Sequence, residues 1–167
     1  MPEMPFVLSH WSTLIENFQS SPQEFYATVE AAIAKRKLPN VSVSRVSGRE
    51  GGTFSASREY LRVTKNEFIF DICAAPFGTG YFYSSWQTLK QESGCLRLFL
   101  IWSIVGIPFL FLPRPRLTYY QMDTAQMFQK AIHNAVLEAV DTVTNAKGIR
   151  ALSETERKPI MREFFGK

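Results

Sequence analysis

Apolar and polar positions along this chain change period several times, and each change marks an element. Leu8, Trp11, Leu14, Ile15 and Phe18 recur at spacings of three and four, which predicts a short helix with His10, Ser12, Glu16 and Asn17 on its outer side. Ser21, Pro22 and Glu24 form a capping box with proline at the first helical position. A second helix is therefore expected, burying Phe25, Val29, Ala32 and Ile33 and ending in Lys35, Arg36 and Lys37, where positive charge suits the negative end of the helix dipole. From Val41 the period becomes two. Val43 alternates with Ser42 and Ser44, and Gly48, Gly51 and Gly52 make a loop. Tyr60, Arg62 and Thr64 then oppose Leu61 and Val63, and Lys65-Asn66 is a hairpin turn into Phe68, Phe70 and Ile72. A glycine loop at 74–80 and a strand at about 81–86 complete four sequential antiparallel strands.

The most apolar stretch follows, residues 95–113, CLRLFLIWSIVGIPFLFLP. Beyond it, alternation over 117–121 predicts a short fifth strand. Asp123, with Gln126 three residues on, reads as the cap of a long helix. Its stripe is Phe128, Ile132, Ala135, Val136, Ala139, Val140 and Val143, with His133 on the rim and Gly148 as the stop. In residues 152–167 a second box, Ser153 and Glu156, with Pro159 behind it, predicts a kinked helix burying Ile160, Met161, Phe164 and Phe165. The fold class is α+β: one domain over 1–167, an antiparallel meander of four to five strands covered on one face by amino- and carboxy-terminal helices, with 95–113 a central apolar insertion.

Residues 98–112 carry no charge and one polar side chain, Ser103. The run is shorter than the roughly 20 residues a helix needs to cross a hydrocarbon core and longer than the about 10 to 14 usual in interfacial segments. Gly106 and Pro108 near its middle favour a bent or re-entrant segment. The rival reading is a pair of buried strands joined through Gly106. Location of charge favours the membrane. Basic and acidic residues number nine and nine over 1–94, three and none over 95–116, and seven and six over 117–167, so most of the net +4 brackets the run. Arg97, Arg114 and Arg116 suit anionic headgroups, and Leu98, Phe99, Trp102, Ile104, Phe109 and Phe111 suit the layer beneath, with Tyr119 and Tyr120 as further anchors. Elsewhere acids match the basic residues, which speaks against nucleic acid. The long helix must bury its stripe on the meander, so both lie on one side of a bilayer and monotopic attachment is preferred to a span.

Candidate chemistry is sparse. Cys73 and Cys95 are too few for a disulfide framework, and His10 and His133 have no metal-ligand spacing. The APFGTG loop with Gly78 and Gly80 lacks the context of a phosphate cradle, and no cofactor signature is present. The amino terminus lacks a basic region ahead of an apolar one, which places the soluble parts in a reducing cytoplasm. Three readings follow. The first is a non-enzymatic interaction module on the cytoplasmic face of a membrane, with lipid headgroups and a protein as partners. The second is a soluble cytoplasmic protein that binds lipid or another apolar ligand between sheet and long helix. The third is a cysteine-dependent transfer enzyme. The order helix, four-strand meander, cysteine, helices loosely resembles ubiquitin-conjugating enzymes, but their His-Pro-Asn motif has no counterpart here, and no base stands beside Cys73 or Cys95 in the sequence.

Overall fold

The computed structural model describes residues 6–49, 57–90 and 118–161 of the 167. Among them the chain runs β1 (Phe6–Ile15), α1 (Pro22–Lys35), β2 (Ser42–Arg49), β3 (Ser57–Lys65), β4 (Phe68–Phe77), β5 (Gly80–Leu89), α2 (Tyr119–Asn145) and β6 (Ile160–Met161). The strands form one antiparallel sheet in the order β2-β3-β4-β5-β1-β6, so the meander β2 to β5 is as the alternation predicts, but β1 and β6 extend it. The fold is α+β, a six-strand sheet with two helices.

Register tells which side chains meet the helices. Val63, Phe70 and Gln87 share one face, as do Leu61, Ile72 and Ser85, and Phe70 meets Phe128 of α2 edge to face, with ring centroids 6.2 Å apart. Tyr83 meets Phe25 of α1 and Tyr81 meets Phe18, so odd residues of β5 point the same way. Phe25, Val29, Ala32 and Ile33 of α1 and Phe128, Ile132, Val136 and Val140 of α2 are all buried in the core they form with that sheet face. Burying such side chains is worth about 1.5 to 3 kcal/mol each, the main source of stability for a helix on a sheet.

Four expectations are corrected. Residues 8–18 are not a helix. Ser9, Trp11 and Ile15 point into the core, Ser12 and Leu14 are exposed, and a bulge between Val7 and Ser9 turns Leu8 inward as well. A spacing of three and four arises here from a strand with a slipped register. The strand expected at 117–121 is the first turn of α2. Thr118 caps it: its hydroxyl accepts the Gln121 N–H at 3.2 Å, and Gln121 Oε1 accepts the Thr118 N–H at 2.9 Å. The Ser153 and Glu156 box forms only one turn, and no helix follows among the described residues. Glu156 Oε2 accepts from the Ser153 N–H at 2.7 Å, Pro159 follows, and Ile160 and Met161 pair with His10 and Ser9 as β6. Ile160 is 72 % exposed, against the burial expected of it; Phe164 and Phe165 lie outside the described residues. Finally, β4 runs on to Phe77, so the loop at 74–80 shrinks to a turn at Gly78 and Thr79, with Gly78 at φ +61°.

Two polar devices lock this arrangement. β3 and β4 pair only as far as Tyr60 and Cys73 and then part. Tyr26 of α1 fills the fork: its hydroxyl donates to Glu59 O at 2.7 Å and accepts from the Ala74 N–H at 3.1 Å, so the two backbone groups that lose their ladder partners are both satisfied. At the other side of the sheet, carbonyls of the 153–158 turn are captured from two elements. Trp11 Nε1 donates to Glu156 O at 2.6 Å, and His133 Nε2 donates to Arg157 O at 2.7 Å. Arg157 in turn grips Asp141 with both guanidinium nitrogens, at 3.0 and 2.8 Å. His133 is thus a buried latch rather than a rim residue, 5 % exposed, and burial pushes its pKa down.

Candidate interaction surface

Arg97, Leu98, Phe99, Trp102, Ile104, Phe109, Phe111, Arg114 and Arg116 all lie outside the described residues, as does Cys95. What the structure provides is the end of the molecule from which their segment departs and to which it returns. Gln87, buried on the helix-facing side of β5, donates from Nε2 to Ala125 O of α2 at 2.9 Å and accepts from Ser9 Oγ at 3.3 Å. One side chain therefore ties β5, β1 and the first turns of α2. At the opposite end Tyr81 meets Phe18, and Lys147 lies over that same ring, 5.1 Å from its centroid. β5 and α2 consequently run antiparallel, and Leu89 and Thr118 emerge at the same end.

The rest of that end is built from Phe6, which pairs with Leu89, and from the β3–β4 turn, where Lys90 N–H donates to Glu67 O at 2.6 Å. Tyr119 and Tyr120 are each 79 % exposed and Phe6 is 44 % exposed, three aromatic side chains on one rim. Aromatic rings with a polar edge suit a headgroup layer. The described charges there balance, Lys65 and Lys90 against Glu67 and Asp123.

The sheet face away from the helices is the second surface. His10 stacks on Trp86, with centroids 3.8 Å apart, and Leu14, four residues further along β1, is exposed on the same face. Arg62 and Asp71 form a two-pronged ion pair on the same face, at 2.7 and 2.8 Å. Cys73 points this way too, yet it is only 1 % exposed, and burial raises its thiol pKa with Arg58 opposing weakly. His10 pairs across Trp86 to Asp71, two strands and two residues from Cys73, which is on the order of 12 Å. That is too far for an imidazole to take the thiol proton.

Space between sheet and α2 is taken by side chains. Phe70, Ile132 and Val136 meet there with no more than 1 % exposure. A groove of about 680 Å³ lies instead between α2 and residues 154–161, lined by Gln126, Lys130, Leu137, Arg157 and Met161 among others. Among the described residues no helix is long and apolar enough to cross a membrane, and no group of His, Cys, Asp and Glu has the geometry to hold a metal ion.

Sequence reasoning missed Gln87, Tyr26 and the latch at His133. A glutamine inside the aromatic strand YFYSSWQTL was the available signal, since an amide in a buried strand position requires a partner. Nothing local marks Tyr26, whose role depends on where two strands part. Comparisons with family models, with curated proteins and with solved structures return no match to this chain.

Proposed function

We propose that this protein is a non-enzymatic, membrane-attached interaction module, held at the cytoplasmic face by insertion of residues 98–112 beneath anionic headgroups that Arg97, Arg114 and Arg116 engage. The observation that carries the reading is the antiparallel placement of β5 and α2, tied by Gln87 to Ala125 O. The Cα atoms of those two residues are roughly 10 Å apart, and each chain then continues about 10 Å in the same direction. The 27 residues of 91–117 thus leave and return within a distance much smaller than the about 30 Å of a hydrocarbon core.

A single crossing would put the sheet and α2 on opposite sides of the bilayer, and they pack together. Two helical crossings need about 40 apolar residues, and the insertion has 16 between Arg97 and Arg114. What fits is a wedge that enters one leaflet and comes back, with the exposed Phe6, Tyr119 and Tyr120 at its base. The filled layer between sheet and α2 favours this over an apolar carrier.

The test is co-sedimentation of the full chain with anionic vesicles, with circular dichroism of the same samples. Wild type should bind. R114E with R116E should weaken binding by about tenfold or more in a salt-dependent way, since each basic residue near an anionic surface contributes about 1 kcal/mol. I104D should abolish insertion and leave the fold intact. Failure of wild type to bind, with unfolding of I104D, would refute the proposal and make the segment part of a soluble core.

A further inference from the structure

The two edges of the sheet are protected very differently. At one edge β6 is two residues long, follows Pro159, which has no N–H to offer, and pairs β1 only at Ser9 and His10, so a strand arriving there meets a short and broken edge. At the other edge β2 presents eight residues in unbroken register with β3, from Ser42 opposite Thr64 to Arg49 opposite Ser57. It contains no proline, no lysine and no bulge, the usual devices that blunt an edge. Ser42, Val43, Ser44, Arg45 and Ser47 are exposed, and among the described residues nothing pairs with its outer side. The one cation on that edge with a described side chain, Arg45, is turned back onto its own molecule, 3.0 Å from Glu30, 3.7 Å from Glu59 and over the ring of Tyr26.

From this asymmetry we infer that β2 is a self-association edge, pairing antiparallel with β2 of a second copy to make a twelve-strand sheet across a twofold axis. Three arguments select a second copy. Pairing of β2 with the β6 edge of another molecule would build an open filament, and the short β6 after Pro159 denies it. Pairing of β2 with β2 closes at two subunits. Composition is self-complementary, since short serine side chains let two edges approach and Arg45 is neutralised within each subunit. Size is also sufficient: a seven-residue overlap about 24 Å long, with the side chains above and below it, buries on the order of 1,000 Å² in total, the lower limit for a specific interface.

Register follows from charge. An axis at Arg45 would set two arginines directly opposite, which is unfavourable. An axis at Val46 overlaps residues 43–49, opposes Val46 to Val46, and puts Arg45 beside the partner's Ser47. Cross-strand pairs of β-branched residues are among the favourable ones. The pairing is independent of the membrane reading.

Sedimentation equilibrium of the full chain in a density-matched non-ionic detergent tests this, because detergent keeps the apolar run from associating on its own. The expected result is a monomer near 1 µM that becomes mainly dimer near 100 µM, with V46K at least tenfold weaker and I160K, on the opposite edge, unchanged. V46C should give a disulfide-linked dimer under mild oxidation, since Cα atoms opposed across an antiparallel pair are about 4.5 to 5.5 Å apart. Wild type, with Cys73 and Cys95 alone, should not. A monomer at every concentration, a dimer that survives V46K, or no crosslink in V46C would overturn the inference.

Discussion

Removing one oxygen atom tests how the sheet survives its fork. Tyr26→Phe keeps the ring, which is fully buried and carries the Arg45 guanidinium 4.7 Å from its centroid, and deletes only the hydroxyl. Two hydrogen bonds go with it, to Glu59 O and from the Ala74 N–H. Ala74 is buried, so its N–H is left without a partner at a cost of about 1 to 3 kcal/mol. Glu59 is half-buried and water reaches its carbonyl more easily, so about 1 kcal/mol is reasonable there. The sum, about 2 to 4 kcal/mol, should lower the melting temperature by roughly 5 to 15 °C for a chain of this size. The control is Tyr83→Phe. Tyr83 is equally buried, packed on Phe25 and Tyr81, but its hydroxyl has no hydrogen-bond partner among the described residues, so its loss should change stability by less than about 1 kcal/mol. Urea denaturation followed by circular dichroism gives both values, and hydrogen exchange at Ala74 should accelerate in the first variant only. Equal stability of Tyr26→Phe and wild type, or a greater loss in Tyr83→Phe, would refute the assignment of Tyr26 as the bridge.

Phe128→Ala removes a buried ring that meets Phe70 and should cost about 3 to 5 kcal/mol; an unchanged denaturation midpoint would remove the packing on which the same-side argument rests. Burial lowers the pKa of His133 below its ordinary 6.5, so the unfolded chain binds the proton first as pH falls. Its contribution is complete above about 6.5 and is lost as pH falls through the folded value, and a His133→Gln variant should lack that step in a plot of stability against pH. Tyr81 titrates in the opposite sense: burial pushes it to about 12, so the native state loses stability as pH rises from 10 toward that value, a loss that Tyr81→Phe should diminish. Cys73, buried with a raised pKa, should react with iodoacetamide far more slowly than free cysteine at neutral pH; stoichiometric fast labelling at that position would contradict its placement.

Elements whose partners are close in sequence are the ones that could be read in advance. α1 announces itself through Pro22 and the stripe Phe25, Val29 and Ile33, because a helix makes its backbone hydrogen bonds within itself, and the meander β2 to β5 through the alternation around Lys65-Asn66, because each strand pairs with the next. β1 does not. Leu8, Trp11, Leu14 and Ile15 satisfy a helical spacing as well as a bulged strand, and only β5, more than sixty residues later, decides between them. The tail fails for the same reason: Ser153 and Glu156 do start a turn, but distant Trp11 and His133 take up the carbonyls of Glu156 and Arg157. At the candidate surface, Tyr119 and Tyr120 are exposed on the first turn of α2, and Gln87 escaped notice because its importance lies in Ala125, thirty-eight residues away.

The position of β1 has a consequence for how the molecule assembles. Its two neighbours are β5, where Phe6 faces Leu89, and β6, where Ser9 faces Met161. A strand placed between partners so remote raises the average sequence separation of contacts, and chains of high contact order fold slowly because loop closure precedes any gain. As the chain emerges from a ribosome, β1 precedes the rest of its sheet and waits for more than sixty residues of synthesis before its first partner exists, with Trp11 and Leu8 lacking that partner meanwhile. β2 to β5 can zip locally, so β1 joins them afterwards on the flank of β5, and β6 follows on the flank of β1. Early synthesis is therefore the interval in which this protein needs shelter from aggregation, and slowing elongation after residue 89 should raise its soluble yield.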